Sequence, residues 1–305
     1  MTYPRAHLVD SVNGGVYHCI SRCVRRSWLC GRDPLTGFDF EHRRAWLETR
    51  VLALCELFAV ELYGYAIMSN HYHLVVQTVP KRTALWSDDQ VARRWCSIRQ
   101  APDEHDFELR VAALVAVPQR IAVLRERLAS LSWLMRFINE PLARLANEQD
   151  NVTGRFWEGR FKSFALLDEA AIIACMAYVD LNPVRAKAAA TPTDCAHTSI
   201  ARRLRTHDGN AAPLRPLSAL GLTLAHYEQL LSWTLATDSG QVKRPSAFVA
   251  STLARQRLEP DDWLQQVRAH RFKYRAYGAA SRLADYAQTL GQRWICGAKA
   301  MMTPV

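Results

Sequence analysis

The sequence predicts an α+β fold in which a small antiparallel sheet is flanked by helices. Two observations carry this prediction. Patterns typical of a strand, a helix and two further strands follow one another over residues 15–79, and long helical patterns dominate after residue 80. With 49% hydrophobic residues in a chain of 305, such a core can be buried.

The elements around the sheet are each predicted from their local pattern. Residues 15–24 are expected to form a strand, residues 38–57 a helix without a breaker, and residues 60–68 a second strand. Ser69-Asn70 favours a tight turn, because both residue types are common in turns. The following strand, residues 71–79, would therefore form a hairpin with the strand before it.

The middle of the chain is predicted to be mainly helical. Two amphipathic helices are expected at residues 107–128 and 131–147, within a helical insertion at about residues 83–150. Residues 154–163 then alternate aromatic and basic side chains between glycines. Such a segment can pair with phosphates and stack on bases, or it can be an ordinary hairpin at the edge of a sheet. The local pattern favours neither interpretation.

A strong helix is predicted over residues 168–181. Asp168 suits the N-cap position, and no breaker interrupts the apolar residues that follow. Pro183 disfavours helical geometry in the residue before it, so the helix is expected to end or kink near Asn182. Tyr178 and Asn182 are four residues apart and share one face if helical geometry persists that far.

The composition predicts three parts in the chain. Residues 1–200 would form the main domain, residues 201–216 a surface linker rich in Ala, Thr, Pro and Arg, and residues 217–305 a helical region. Residues 268–275 are the densest basic and aromatic stretch in the chain. The C-terminal region is therefore a candidate accessory DNA-binding part.

The charge balance points towards nucleic acid. The formal net charge is +10, and arginine supplies most of it. Basic side chains on one surface attract phosphate backbones. No stretch approaches eighteen uninterrupted apolar residues, so no membrane partner is expected. The first residues lack an apolar signal core, and the protein is predicted to be cytoplasmic.

The eight cysteines are expected to be reduced thiols in that compartment. Cys19, Cys23 and Cys30 are clustered, with His18 beside them, which allows a zinc knuckle. Their spacing lacks the paired C-x2-C of a regular zinc finger, and the first two can equally be packing residues on a strand.

His71-Tyr72-His73 is the most informative motif of the chain. Side chains two residues apart in a strand point to the same face, which places the two imidazoles side by side, roughly 6–7 Å apart at the backbone. Both rings could then reach one metal ion. The pair could equally be two half-buried strand histidines with separate hydrogen-bond partners.

Tyr178 and Asn182 supply what a two-histidine site lacks. A tyrosine can act as a covalent nucleophile, although a tyrosine on an apolar helix is usually a core residue. Attack on a phosphodiester requires charge neutralisation at the phosphate, which a divalent ion bound by two histidines and an amide carbonyl would provide. The hairpin strand and the later helix can thus be halves of one site.

A zinc hydrolase built on the same histidine pair is the alternative of a different class. It would require a third His, Asp or Glu at ligand spacing and a base, and no H-E-x-x-H motif occurs in the sequence.

Four sequence blocks resemble a known family. Met68-Ser69-Asn70-His71-Tyr72-His73-Leu74-Val75 resembles the HUH motif block of the single-tyrosine transposases. Residues 159–163 and 178–186 resemble the later blocks of the REP-associated tyrosine transposases, and Gly15-Val16-Tyr17-His18 with Ser21-Arg22 resembles their opening strand. The order and rough spacing of the blocks agree across residues 14–200.

This resemblance implies a ferredoxin-like HUH core with an antiparallel sheet, and cleavage of single-stranded DNA beside a hairpin. Tyr178 would be the nucleophile and form a 5′-phosphotyrosine. His71, His73 and Asn182 would be the metal ligands, for Mg²⁺ or Mn²⁺. The reaction would be strand cleavage and transfer without ATP.

The resemblance also assigns Arg160, Lys162 and Arg185 to DNA phosphates. The expected partner is single-stranded or hairpin DNA, and the protein would act as a monomer or a homodimer. A hairpin-DNA-binding protein derived from such a transposase, without catalysis, is the alternative, since basic composition supports both.

Overall fold

Helices cover both faces of a five-stranded sheet in the computed structural model. The structure describes residues 4, 7–24, 28–33, 37–99, 103–206, 211–241, 244–269 and 274–296. Much of the predicted basic and aromatic stretch at residues 268–275 lies outside the described residues, because residues 270–273 are not among them. Within the described part, no helix combines the length and the apolar character needed to cross a membrane.

The elements alternate between strands and helices at first and are mainly helical later. In chain order they are β1 (Gly15–Arg22), α1 (His42–Leu57), β2 (Val60–Ile67), β3 (His71–Thr78), α2 (Asp88–Ser97), α3 (Glu104–Val115), α4 (Pro118–Leu128), α5 (Leu131–Gln149), β4 (Lys162–Leu166), α6 (Glu169–Arg185), α7 (Ser199–Leu204), α8 (Leu224–Asp238), α9 (Ala247–Arg255), α10 (Pro260–Ala269), β5 (Ala276–Tyr277) and α11 (Ala280–Thr289). Short 3-10 turns at Pro80–Leu85, Pro192–Asp194 and Leu217–Leu220 join some of them.

The sheet has the order β2-β3-β1-β4-β5. Its first four strands are antiparallel neighbours, which confirms the predicted α+β class and the predicted hairpin. β5 pairs with β4 in the parallel sense, so the whole sheet is mixed rather than antiparallel. The C-terminal region, predicted to be helical, therefore supplies an edge strand. Two residues are too few to show the alternation by which a strand is predicted.

Strand alternation sends the two sides of β3 into different cores. Tyr72, Leu74 and Val76 lie in the cluster that includes α1 and α5. Val75 lies in the cluster formed by α6 and the C-terminal helices. Since alternate residues share a face, His71 and His73 are on the α6 side of the sheet.

The helix that begins after Asp168 runs through Pro183 to Arg185, so the expectation that it ends near Asn182 is wrong, while a kink there stays a prediction. Proline removes one backbone hydrogen bond, which is tolerable in the last turn of a helix. The helix continues past the proline, because Ala186 N–H still donates to the Asn182 carbonyl at 2.9 Å. Pro183 and its neighbours Val179 and Leu181 are buried, and this apolar packing holds the last turn in place.

Local signals determine where two of the helices in the middle of the chain begin. The helix predicted over residues 107–128 is two helices, because Pro118 begins α4 at a position where its missing N–H costs nothing. α2 begins at a capping box in which Ser87 and Gln90 bond to each other's backbone N–H.

The stretch predicted to be a surface linker contains a buried helix. α7 packs against β2, and Arg203 on it is fully buried. Its Nη2 donates to the carbonyls of Tyr63 and Arg215, both at 2.9 Å. The C-terminal helices continue this packing, since Tyr227 of α8 and Trp263 of α10 lie in the cluster that surrounds α6. The division into three domains stays a prediction.

Candidate active site

The register between β1 and β3 sets the strand side of the site. Ile20 pairs with His73 and Arg22 pairs with His71 across the antiparallel ladder. Alternation then places His18, two residues before Ile20, on the same face as both histidines. Three imidazoles that are far apart in the sequence are thus brought to the α6 side of the sheet.

His73 is the centre of this group and is fully buried. Its Nδ1 lies 2.9 Å from Nε2 of His18, and the two rings are stacked with centroids 5.1 Å apart. Its Nε2 lies 3.0 Å from Nδ2 of Asn182 on α6. The strand and the helix therefore meet at the side chain of His73, which lies beside Asn182 and within reach of the rings of His71 and Tyr178.

The hydrogen bonds indicate which nitrogen of each histidine carries the proton. As placed, Asn182 turns its Nδ2 towards Nε2 of His73, and this orientation of the amide matches a ring proton on Nδ1 facing Nε2 of His18. His71 Nδ1 lies 2.5 Å from Oδ1 of Asn70, which can only accept, so this nitrogen is also the protonated one. Both rings of the H-x-H pair therefore carry their lone pair on Nε2, the arrangement typical of metal-binding histidines with an oriented Nδ1.

Both rings are kept neutral by their surroundings. Burial lowers the pKa of His71 to about 4, and the positive charge of Arg22 acts in the same direction. Burial also lowers the pKa of His73 well below its ordinary value, with smaller contributions from His71, His18 and Arg22. A neutral imidazole is the form that coordinates a cation.

Tyr178 lies one helical turn before Asn182 and on the same face of α6. It is half-buried, and its ring meets His73 edge to face at 5.8 Å between centroids and His18 at 6.0 Å. We call His18, His71, His73, Tyr178 and Asn182 the histidine cluster. It combines a phenol, three imidazoles and an amide at the end of the sheet where β3 begins.

The donor set of the cluster fits a divalent cation such as Mg²⁺ or Mn²⁺. Nε2 of His71, Nε2 of His73 and the amide oxygen of Asn182 are three neutral donors, and Mn²⁺ accepts both imidazole and oxygen ligands. A rotation of the Asn182 amide by half a turn would exchange Nδ2 for Oδ1 beside His73. Three protein ligands would leave further coordination positions for a substrate.

The zinc alternatives find less support in the same region. Within the described ranges, no group of three or more His, Cys, Asp or Glu side chains is placed to hold a metal ion. Cys19, Cys23 and Cys30 are all buried in the apolar cluster. Burial raises the pKa of the Cys30 thiol to about 12, and a zinc-binding cysteine must be deprotonated.

The predicted DNA-contacting residues differ in their positions. Arg160 and Lys162 are exposed, and Lys162 begins β4 at the sheet end where Arg22 and His71 lie. Arg185 instead forms an ion pair with Asp238 of α8, 2.6 Å from Nη2 to the carboxylate. The role of all three in DNA contact stays a prediction.

Sequence reasoning did not include His18 and Arg22 among the site residues. His18 stands 55 residues before His73, and only the pairing of β1 with β3 brings the two together. The alternation His18, Ile20, Arg22 on a predicted strand was the available signal, but it gives no register.

The opposite face of α6 carries a second polar group, which we call the carboxylate anchor: Asp180, Ser199, Ile200 and Tyr227. Asp180 is fully buried. Its Oδ1 accepts from Ser199 Oγ at 2.7 Å and from Ile200 N–H at 3.0 Å, and its Oδ2 accepts from Tyr227 OH at 2.8 Å. These bonds tie the helix that carries Tyr178 to α7 and α8.

Known proteins offer few comparisons. No protein-family model and no curated protein matches the sequence. A solved structure described as a REP-associated tyrosine transposase bound to a REP hairpin is similar over 67% of this chain and 86% of its own, with 13% identity and a TM-score of 0.40.

Proposed function

We propose that the protein is a metal-dependent enzyme that cuts and rejoins single-stranded DNA beside hairpins, with Tyr178 as the nucleophile. The observation that carries the proposal is the convergence of two elements. Tyr178 and Asn182 share one face of α6, and that face meets the neutral imidazole of His73. Under this proposal a nucleophile and three cation ligands act together at the meeting point of β3 and α6.

The chemistry assigned to Tyr178 is a phosphoryl transfer. Its Oη would attack the phosphorus of a phosphodiester, forming one P–O bond while the bond to the 3′ oxygen breaks. The phenolic proton leaves Tyr178, and the departing 3′ oxygen takes up a proton as a free hydroxyl. One ester replaces another, so a 3′-hydroxyl can reverse the step without ATP.

His71, His73 and Asn182 would hold Mg²⁺ or Mn²⁺ through two Nε2 atoms and one amide oxygen. When bound, such an ion neutralises phosphate charge and supports the leaving oxygen. His18 keeps the Nδ1 proton of His73 in place and so directs Nε2 towards the cation. Burial keeps both strand imidazoles neutral for this purpose.

The substrate class rests on charge and on motif resemblance. The chain carries +10, and Arg22, Arg160 and Lys162 lie at or next to the strand ends beside His71. Cationic side chains around a nucleophile suit a phosphodiester backbone. The hairpin beside the cleavage site follows from the resemblance of the sequence blocks to the REP-associated transposases.

The test is a covalent adduct on a denaturing gel. A hairpin-bearing single strand labelled at its 3′ end should move to a protein-linked band in Mg²⁺ or Mn²⁺, and the same strand labelled at its 5′ end should leave a shorter free product. Tyr178→Phe should abolish the adduct and retain hairpin binding. Tyr63→Phe is the matched control, since that hydroxyl bonds to Gln77 elsewhere on the sheet.

Three outcomes would decide against the proposal. An adduct that still forms in Tyr178→Phe would show that another residue is the nucleophile. An adduct that forms equally well in EDTA would show that the reaction does not require a metal ion. A wild-type protein that binds the hairpin and leaves every strand intact supports the non-catalytic DNA-binding alternative.

A further inference from the structure

A large open cleft lies at the end of the sheet opposite the histidine cluster. Its volume is about 1020 Å³, and it is bordered by Gly15 at the start of β1, Gln77 near the end of β3 and Leu166 at the end of β4. Four residues of β3 separate His73 from Gln77, so the cleft begins about 13 Å from the centre of the histidine cluster at roughly 3.3 Å per residue.

Exposed arginines project from two walls of this cleft. Arg255, at the end of α9, and the nearby Arg257 line one wall, and Arg282 of α11 lines the other. In the part of the chain that the structure describes, none of the three makes an ion pair. Exposed arginines elsewhere that do form ion pairs include Arg110, Arg136 and Arg144.

Two of the three carboxylates in the cleft wall are already engaged by the protein. Asp10 accepts from the N–H groups of Val12 and Asn13, both at 2.9 Å. Asp168 caps α6 through Ala171 N–H at 2.8 Å and accepts from Ala279 N–H at 2.6 Å. Glu169 is the third and is exposed. A fourth wall arginine, Arg215, is paired with Glu61.

We propose that this cleft binds the sugar-phosphate backbone of duplex DNA, through Arg255, Arg257 and Arg282. Guanidinium groups without carboxylate partners are suited to phosphate oxygens, which they contact through paired N–H donors. The proposal rests on the proposed function for its choice of nucleic acid, and it gives the C-terminal region a role in holding DNA at the other end of the sheet from Tyr178.

The aromatic residues of the cleft favour a duplex over a single strand. Proteins that hold unpaired strands offer aromatic faces on which bases stack. Tyr17 and Tyr63 are buried, with 0% and 5% of their surface exposed, and Tyr286 is half-buried with its hydroxyl bonded to the Leu8 carbonyl. The wall therefore offers charge without a stacking platform, which suits a backbone whose bases are already paired.

The test measures affinity for a 24-base-pair duplex of random sequence by fluorescence anisotropy, using the full chain at several salt concentrations. The variant is Arg255→Gln/Arg282→Gln, which removes one charge from each wall. Its matched control is Arg99→Gln/Arg120→Gln, two exposed arginines near the ends of α2 and α4.

We expect the cleft variant to bind the duplex about 10-fold more weakly at 100 mM salt, with a slope of log affinity against log salt that falls by about two. The control should keep more of its affinity. Glu169→Gln, which removes the exposed wall carboxylate, should strengthen binding. Equal losses of duplex affinity in the cleft and control variants would overturn the proposal. The proposal would also be overturned if the cleft variant lost binding to anionic vesicles and kept its duplex affinity.

A parallel assay separates this proposal from the proposed function. The cleft variant should still form the Tyr178 adduct on a minimal hairpin too short to reach the far end of the sheet. Loss of duplex affinity without any wild-type adduct supports the cleft and rejects the nuclease. An adduct together with unchanged duplex affinity does the reverse.

Discussion

The two faces of α6 carry polar groups that are only two residues apart, at Tyr178 and Asp180, and these groups differ in their hydrogen-bond partners. On one face, the histidine cluster places the neutral imidazoles of His71 and His73 beside a half-buried phenol. On the other face, the carboxylate anchor surrounds Asp180 with three donors inside an apolar cluster.

This difference distinguishes a candidate ligand-binding site from a group that stabilises the fold. Both oxygens of the buried Asp180 accept hydrogen bonds from the protein, and these bonds hold three helices together. In the histidine cluster, Nδ1 of His71 lies beside Asn70, Nδ1 of His73 lies beside His18, and Nε2 of His73 meets the side-chain amide of Asn182, with which it would share a cation under the proposed function. The same helix is thus fixed from one side and carries the proposed nucleophile on the other.

Removing the anchor tests the comparison most strongly. Asp180→Ala leaves the buried donors of Ser199, Ile200 and Tyr227 without their acceptor, and we expect a loss of about 3–5 kcal/mol in the free energy of unfolding. Chemical denaturation followed by circular dichroism measures this loss.

Asp238→Ala is the control for that measurement. Asp238 also accepts from the basic residues Arg185 and Arg268, but its side chain is 23% exposed, and such pairs contribute at most about 1 kcal/mol. Equal losses in the two variants would contradict the assignment of Asp180 as the main support of α6. Tyr227→Phe, which removes one of the three donors, should fall between them.

The second prediction concerns the metal affinity of the histidine cluster. His18→Phe keeps an aromatic ring beside His73 and removes the acceptor of its Nδ1 proton. We expect affinity for Mn²⁺, measured by electron paramagnetic resonance, to fall by about 10–100-fold. His105→Phe changes an exposed histidine on α3 and should leave the affinity unchanged.

An unchanged affinity in the His18 variant would mean that His73 is oriented by the packing of its ring alone. Asp180→Asn, measured in the same way, sharpens the comparison. If the two faces of α6 have separate roles, this variant should lower stability more than it lowers Mn²⁺ affinity.

Periodicity predicts which residues of the candidate site share a face. Strand alternation placed His71 and His73 on one face, and helical spacing placed Tyr178 and Asn182 together, because both depend on short distances along the chain. His18 was missed because its contact depends on the register of two strands that are far apart in the sequence.

Burial explains the other differences from the sequence-based expectations. Pro183 is a helix breaker by its local chemistry, and packing of the last turn overrode that preference. The sequence predicts a linker where the buried helix around Arg203 lies, because charged and small residues ordinarily lie at the surface. The residues that pack against Pro183 and against Arg203 are distant in the sequence, so the local pattern does not reveal them.

Glu48 extends the comparison to a partly solvated carboxylate and should show the smallest effect. Tyr65 OH donates to its Oε1, and His197 Nδ1 lies 2.6 Å from its Oε2. Burial alone would raise the pKa of Glu48, but the hydrogen bonds from His197 and Tyr65 outweigh it and lower the pKa below its usual 4.5. A lowered pKa in the folded state means that the stabilisation is present above pH 4.5 and is lost as the pH falls through the folded value. Wild-type protein should therefore lose more thermal stability between pH 6 and pH 3 than Glu48→Gln does, as measured by the melting temperature. If the melting temperatures of the two proteins fall in parallel with pH, Glu48 does not contribute to acid sensitivity. Hydrogen-bonded carboxylates would then stabilise this fold only at fully buried positions such as Asp180.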